Sequence, residues 1–277
     1  MKTTLKNMIA ALVLTLGLST AANAEVYRGE IQFFANTYGT AGFLPADGRI
    51  LSISDNSGLF AVVGSNYGGD GKITFALPNV PPLKDANKGE EVRAYIAAEA
   101  GRLPITHAAK MQGETVLLPA NNLIKKNPML LRNDGSILDA ESHVALFSII
   151  GAQFGGDGYK TFALPKMTYK TLNGPDLVTY TVAEGMYPGE KLCTYNDEYI
   201  SQIKFAPYSP YRLYSDIFPA NGKLYPIRSY QVLFSLITTQ FGGDGYNTFA
   251  LPKLDTQLGE GMQTFICTAG IYPARPY

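Results

Sequence analysis

Residues 59–78 read LFAVVGSNYGGDGKITFALP, residues 146–165 read LFSIIGAQFGGDGYKTFALP, and residues 233–252 read LFSLITTQFGGDGYNTFALP. Both intervals between the starts of these stretches are 87 residues. A fixed period of this length is the sequence signature of a repeat architecture. The 277-residue chain is therefore built around three copies of one unit.

Each copy is predicted to fold as a short helix, a tight turn and a strand. In the first copy, residues 54–57 carry side-chain oxygens suited to a helix start, and residues 59–63 supply an apolar face. Gly64 and Gly151 are expected to cap the ends of the first two helices. Thr238 stands in the same place in the third copy, which predicts a less sharp helix end. The following Thr-Phe-Ala-Leu-Pro alternates as a half-buried strand does, and its proline ends pairing.

The Gly-Gly-Asp-Gly segment predicts a structural turn, because glycine adopts positive φ without strain and the aspartate can hold the turn closed. A functional loop is the alternative. Calcium takes six to eight oxygen ligands, and each turn offers one carboxylate; the Lys-Ser/Thr ending of a phosphate-binding loop is also absent. A cation site would require the three turns to converge. The turn residues are Gly68, Gly69, Asp70, Gly71, Gly155, Gly156, Asp157, Gly158, Gly242, Gly243, Asp244 and Gly245.

Residues 1–24 have the pattern of a signal peptide. Lys2 and Lys6 form a basic start, residues 9–18 are apolar, and residues 22–24 form a small-x-small cleavage site. An uncleaved anchor is the alternative, but the apolar run is short for a membrane span. We expect a mature chain that begins at Glu25, is exported to the periplasm or outside the cell, and contains no transmembrane span.

Loss of this segment leaves 21 basic and 23 acidic residues, a net charge of −2. That balance argues against a nucleic-acid partner, which would favour clustered excess lysine and arginine. The mature chain is rich in glycine, proline and tyrosine and has no tryptophan. This composition is typical of short strands joined by many turns.

The period extends beyond the glycine-rich turn. Asp-Gly at 47–48 recurs as Asp-Gly at 134–135 and Asn-Gly at 221–222, each a hairpin signal. A closing strand followed by Gly-x-x-Pro also recurs. We place the repeats at residues 25–108, 109–195 and 196–277. Units this small bury a modest share of their surface, so we expect them to pack together rather than form independent beads.

The two cysteines, Cys193 and Cys267, lie just after the closing strand of repeat two and within that of repeat three. In an oxidising compartment an even cysteine count favours a disulfide. Such a bond would join the last two repeats. The alternative is two separate buried thiols.

No constellation for catalysis or metal binding emerges. His107 and His143 have no sequence partner that makes a metal motif, and no Gly-x-Ser-x-Gly elbow occurs. Scattered glutamates could form a carboxylate pair only through folding: Glu30, Glu99, Glu114 and Glu184. We predict no enzyme activity and no cofactor.

Tyrosines crowd the third repeat. Tyr208, Tyr211 and Tyr214 lie in a proline-rich connector, and Tyr225 and Tyr230 follow. Exposed tyrosine suits protein interfaces and sugar faces, because it offers rigid apolar area and one hydroxyl. The alternative is ordinary strand packing. The connector is the candidate binding segment.

The ordered motifs of repeat one, Gly29-Glu30-Ile31, Asp47-Gly48-Arg49, Leu59-Phe60, the turn at 67–71 and Thr-Phe-Ala-Leu-Pro at 74–78, resemble the phage tail collar domain. That domain also occurs in bacterial microcystin-dependent proteins, whose closing strand is similar to residues 265–273. The family's tryptophan before the Asp-Gly turn is absent, its cysteine there is Ala46, and its later histidine-bearing segment is missing. The resemblance implies trimeric fibre parts, assembly and attachment, without catalysis.

We therefore predict an α+β protein of three small β-rich repeats, each with one short helix and a glycine-rich turn, packed as a pseudo-threefold body. The first functional hypothesis is an exported structural or adhesive protein that self-assembles or binds a protein partner. The second is a secreted binding module for a surface glycan.

Overall fold

A computed structural model of the chain describes residues 26–36, 38–99, 110–120, 127–185, 187, 193, 198–207, 216–254, 258–259 and 261–275. The predicted signal peptide, residues 1–24, lies outside the described residues. Within those ranges the chain is β-rich, with a curled sheet and α-helices of seven residues each. The helices are too short to form a layer of their own. None of them is long and apolar enough to cross a membrane.

The described elements follow the same general order in each repeat. Repeat one contains β1 (Ile31–Phe34), β2 (Phe43–Pro45), β3 (Ile50–Ser52), α1 (Ser57–Val63), β4 (Thr74–Ala76), β5 (Leu83–Lys84) and β6 (Glu91–Ala97). Repeat two contains β7 (Thr115–Leu118), β8 (Leu130–Arg132), β9 (Ile137–Asp139), α2 (Val144–Ile150), β10 (Thr161–Ala163), β11 (Thr168–Tyr169) and β12 (Leu177–Val182). Repeat three contains β13 (Gln202–Ala206), β14 (Ile217–Pro219), β15 (Leu224–Pro226), a 3-10 turn (Ile227–Ser229), α3 (Gln231–Ile237), β16 (Thr248–Ala250) and β17 (Gln263–Cys267).

Pairing within a repeat is antiparallel. The opening strand pairs with the closing strand in each case: β1 with β6, β7 with β12, and β13 with β17. The closing strand also pairs with β2, β8 or β14. The remaining hairpin of each repeat is a separate two-stranded ribbon, formed by β3–β4, β9–β10 or β15–β16. This ribbon carries the glycine-rich turn just before its second strand.

The opening strands connect the repeats into one sheet. Strand β1 pairs with β13 through Phe33 opposite Ile203 and Phe34 opposite Gln202. It also meets β7, with Ile31 opposite Leu117, and β7 contacts β13. The three opening strands are therefore mutual neighbours, and the sheet that includes them contains strands from every repeat.

The main hydrophobic core also draws on all three repeats. Phe33 of repeat one is fully buried. Its ring lies 5.5 Å from that of Tyr169 in repeat two and 5.9 Å from that of Phe205 in repeat three, between centroids. Repeat two adds a smaller cluster around Leu146 and Phe162 under its helix. Because one core is shared, separating the repeats would expose apolar surface in each of them.

The helix ends differ from the sequence-based expectation. The residue before α1 is Asn56, and its side chain makes no capping hydrogen bond but donates to Ser52 O. The prediction of a side-chain cap is therefore wrong. The expected difference in α3 is also wrong: Thr238 has a φ of +49°, close to +65° at Gly64 and +62° at Gly151. Its amide bonds the carbonyl four residues earlier, as those of the two glycines do.

Candidate functional site

The candidate site is formed by the surfaces at which the repeats meet. At its centre are three matching turns, each of which precedes an opening strand. Each opening strand follows a residue with positive φ: Gly29 (+82°), Gly113 (+83°) or Ser201 (+73°). The next residue in each case donates its amide to the carbonyl three residues earlier. Those next residues, Glu30, Glu114 and Gln202, occupy matching positions in the three repeats.

Five ionisable side chains cluster beside these turns, and each is at most 6% exposed. Lys110 Nζ lies 2.8 Å from Glu30 Oε1 and 3.9 Å from Glu114 Oε1. Lys204 Nζ lies 2.6 Å from the same Glu114 oxygen and also bonds Glu198 Oε1. The cluster therefore joins a carboxylate of repeat one, a lysine and a carboxylate of repeat two, and a lysine and a carboxylate of repeat three.

Burial acts differently on the members of this cluster. Burial favours the neutral form of Glu114, but the ammonium groups of Lys204 and Lys110 outweigh it and hold the pKa of Glu114 below its ordinary value. Burial raises the pKa of Glu198 to about 7, because Lys204 offsets only part of it and Glu114 adds repulsion. Burial opposes the charge of Lys110, yet the surrounding glutamates raise its pKa. The centre is a strongly interacting ionic network.

In the sequence, Glu30 and Glu114 are only two of several scattered glutamates. The available signal was the Gly-Glu dipeptide at 29–30 and 113–114, which precedes the opening strand in two repeats. Nothing local marks Lys110, Glu198 or Lys204 as partners, because their pairing depends on how the repeats pack. Glu99 and Glu184 are exposed and lie apart from this cluster.

A second set of contacts joins the outer parts of the repeats at three seams. The first seam lies between repeats two and one. The loop that contains Asn173 lies between β11 and β12 and reaches repeat one. Asn173 Nδ2 donates to Tyr67 O at 3.0 Å and to Leu77 O at 2.9 Å. Its Oδ1 accepts the amide of Asn79 at 2.7 Å. One amide side chain thus fixes this seam through three backbone groups.

The corresponding loop of repeat one, between β5 and β6, reaches repeat three. Asp85 Oδ1 accepts the amide of Lys253 at 2.5 Å, and Ala86 donates its amide to Lys253 O at 2.8 Å. Lys88 Nζ donates to Thr239 O at 3.3 Å. This seam joins two repeats that are not adjacent in sequence.

Repeat three contacts repeat two at the third seam. Gln153 Nε2 donates to Pro207 O at 2.5 Å and to Gly261 O at 3.5 Å. The ring of Phe154 lies against Gly261, where a Cβ would meet it at 2.9 Å. Loop contacts therefore run from repeat two to one, from one to three and from three to two, and they form a closed cycle.

The glycine-rich turns are held by their own backbone. Asp70 Oδ1 accepts the amides of Lys72, Ile73 and Thr74 at 2.8–2.9 Å, and Asp157 and Asp244 make the matching three bonds. These backbone amides lower the pKa of each carboxyl to about 2. Within the described ranges, no group of histidine, cysteine, aspartate and glutamate side chains is arranged to hold a metal ion.

The tyrosine segment proposed for binding, Tyr208, Tyr211 and Tyr214, lies outside the described residues, as does His107. Of the tyrosines that follow, Tyr225 stacks on Phe218 with ring centroids 4.7 Å apart. Tyr230 packs edge-on against both rings. This aromatic group is partly buried and partly open to solvent.

His143 immediately precedes α2, with Nδ1 3.2 Å from Asp139 O. Cys193 and Cys267 are joined by a disulfide with a Cα–Cα distance of 5.8 Å. Both cysteines are fully buried, and the bond fixes the chain before repeat three to the closing strand β17. It therefore reinforces the junction between the last two repeats.

Comparison with known protein families agrees with this repeated architecture. The family model for the phage tail collar domain matches residues 29–81, 113–172 and 204–258, one match per repeat and together more than half of the chain. No curated protein and no solved structure shows a significant match to the chain. Each family match begins in or just before an opening strand and includes the ribbon and its turn. The chain belongs to the phage tail collar domain family.

Proposed function

We propose that the chain is an exported, non-enzymatic structural or adhesive protein, and that its three collar repeats pack as one pseudo-threefold body. In this proposal a single chain does what three chains do in a trimeric collar. The body acts in surface assembly or attachment, through self-association or a protein partner.

The cycle of loop contacts is the observation that carries the proposal. Head-to-tail contacts generate a closed ring when the rotation closes and an open filament when it does not. Here the loop bearing Asp85, in repeat one, reaches Lys253, in repeat three, although 168 residues separate them in sequence. That contact favours closure. The meeting of β1, β7 and β13, and the core around Phe33, also support a common axis.

Export is the second part of the proposal. The signal-like residues 1–24 motivate it, and the Cys193–Cys267 disulfide suits an oxidising compartment. N-terminal sequencing of the protein recovered from periplasm and medium should give a chain that begins at Glu25. Recovery of an uncleaved chain from the cytoplasm would contradict export.

The proposed packing is tested by size-exclusion chromatography with light scattering on residues 25–277, with negative-stain microscopy of the same fractions. We expect compact particles of single-chain mass, alone or as the units of a larger assembly. Particles with three beads in a row would refute the pseudo-threefold body.

The proposed role is tested by binding of labelled protein to intact cells. Saturable binding that is lost after protease treatment of the cells, or ordered polymers of the protein itself, would support attachment or assembly. The absence of both cell binding and polymers would contradict that role.

A secreted glycan-binding module is the second candidate. The partly exposed aromatic group of Phe218, Tyr225 and Tyr230 favours it, because aromatic faces suit sugar rings. Cell binding that survives protease but is lost after periodate oxidation of glycans would favour this candidate over a protein partner. Tyr225→Ala, in the partly exposed aromatic group, and Tyr208→Ala, in the connector, should both weaken that binding.

A further inference from the structure

The central cluster has a charge imbalance. Its ionised form contains three carboxylates, Glu30, Glu114 and Glu198, and two ammonium groups, Lys110 and Lys204, all buried. Among the residues that the structure describes, the charges of this cluster sum to −1. An uncompensated charge in a protein interior is costly, and such sites commonly bind a proton instead.

The hydrogen bonds show where that negative charge is least compensated. Glu30 accepts from Lys110 and Gln32 through Oε1 and from the amide of Tyr27 through Oε2. Three donors therefore stabilise its ionised form.

Glu198 has fewer hydrogen-bond donors than Glu30 at each of its two carboxylate oxygens. Its Oε1 shares Lys204 with Glu114, and among the described residues its Oε2 has no hydrogen-bond partner. Glu114 Oε2 lacks a partner too, but Glu114 Oε1 lies near two ammonium groups, Lys204 at 2.6 Å and Lys110 at 3.9 Å. A buried carboxylate oxygen without a donor favours the neutral acid, because neutralisation removes the cost of burying the charge. Glu198 is the member best suited to hold the missing proton.

We propose that the central cluster is a proton-binding site, at which Glu198 takes up one proton from solvent in mildly acidic to neutral solution and so stabilises the packed repeats. The carboxylate becomes a carboxylic acid, and the cluster becomes electrically neutral. The groups that act on Glu198 are Lys204, which favours its charge, Glu114, which opposes it, and Lys110, which favours it from a greater distance. Glu30 compensates Lys110 and thereby reduces that last effect.

The expected pH dependence has a definite sign. The folded protein holds the Glu198 proton up to a pKa of about 7, whereas the ordinary glutamate value is 4.5. Between these values the folded state binds more protons than the unfolded state, so stability falls as pH rises and levels off above about 7. This is opposite to Glu114, whose lowered pKa gives stability that is lost in acid.

The first test compares the wild type with Glu198→Gln by urea unfolding from pH 5 to pH 9. Glutamine imitates the neutral acid, so the two proteins should be similarly stable at pH 5. Across the window to pH 7, the wild-type unfolding equilibrium constant should rise by up to about tenfold per pH unit relative to the variant. Parallel curves for the two proteins would overturn the proposal.

A matched control is Glu141→Gln, because Glu141 is an exposed glutamate of the same protein. Its curve should run parallel to that of the wild type. If Glu198→Gln fails to fold, carboxyl-carbon NMR of glutamate-labelled wild type keeps the proposal testable. One buried glutamate resonance should titrate near neutral pH, and the absence of any such titration would refute the site.

A small cation is the competing occupant, and the same NMR titration separates it from a proton. Replacing sodium and potassium with tetramethylammonium at constant ionic strength should leave the midpoint unchanged if the site holds a proton. A midpoint that moves with sodium or potassium concentration would overturn the assignment.

Discussion

The outer turns and the centre of this molecule treat the repeat in opposite ways. The three glycine-rich turns are nearly identical in sequence, and each aspartate accepts three backbone amides of its own turn. At the centre, the matching positions Glu30, Glu114 and Gln202 differ, as do Lys110 and Glu198, each four residues before the central position of its repeat. The three repeats therefore share one sequence in their glycine-rich turns but differ in sequence at the central cluster.

The difference follows from which atoms satisfy each residue. The bonds that hold a turn lie within that turn, so three copies can share one sequence. The central side chains share one buried space, where three identical carboxylates would repel one another. Lys110 and Lys204 supply the opposite charge from two different positions of the repeat. Substitutions at the centre should therefore act on the whole body, and those in a turn should act alike in every repeat.

The largest effect is expected for Lys204→Met, which removes the ammonium group shared by Glu114 and Glu198. Breaking a buried ion pair by removing one partner typically costs about 3–5 kcal/mol, because a charge stays buried without compensation. Urea unfolding at pH 7.5 measures the loss. It should diminish in mild acid, where the remaining carboxylates can take up protons.

Two variants control this prediction. Lys160→Met removes an exposed lysine and should change stability by no more than about 0.5 kcal/mol. Adding Glu114→Gln and Glu198→Gln to Lys204→Met should recover part of the loss, because the uncompensated charges are gone. A cost below about 1 kcal/mol for Lys204→Met would mean that the centre is hydrated and the comparison fails.

The second-largest loss of stability is expected for substitutions of the second glycine of each turn. Gly69, Gly156 and Gly243 have φ values of +86°, +92° and +94°, and a Cβ on any of them would lie 2.4–2.5 Å from the nearest backbone atom of the next strand. Alanine at each position should cost about 2–3 kcal/mol, from backbone strain and a contact that cannot relax cheaply. Urea unfolding of the three single variants should give similar losses.

Gly89→Ala separates the two causes, because Gly89 has a φ of +72° but open space around its Cβ position. It should cost about 1 kcal/mol, from the backbone conformation alone. Losses at Gly69, Gly156 and Gly243 that differ by more than the cost of Gly89→Ala would show that the turns are not equivalent.

The same contrast explains what could be predicted from sequence. The period, the turns and the ribbons depend on neighbouring residues, and the motifs at 59–78 and their copies were enough to find them. The central cluster depends on which strands of different repeats meet, so Lys110 and Lys204 gave no local signal. The helix start was predicted wrongly because Asn56 bonds back to Ser52 O rather than forward to the helix.

The smallest effect is expected at the end of α3, where a non-glycine residue holds a positive φ. Thr238 is β-branched and holds a φ of +49°, which costs a non-glycine residue roughly 1–3 kcal/mol. Thr238→Gly should therefore raise stability by about 1 kcal/mol, since the greater freedom of glycine in the unfolded chain offsets part of the relief. The reverse change, Gly151→Thr, tests the same strain at the end of α2 and should be destabilising. If urea unfolding shows that Thr238→Gly lowers stability, contacts of the threonine side chain outweigh the backbone strain. The helix end of repeat three would then differ from the other two because of its own packing, as the central residues do.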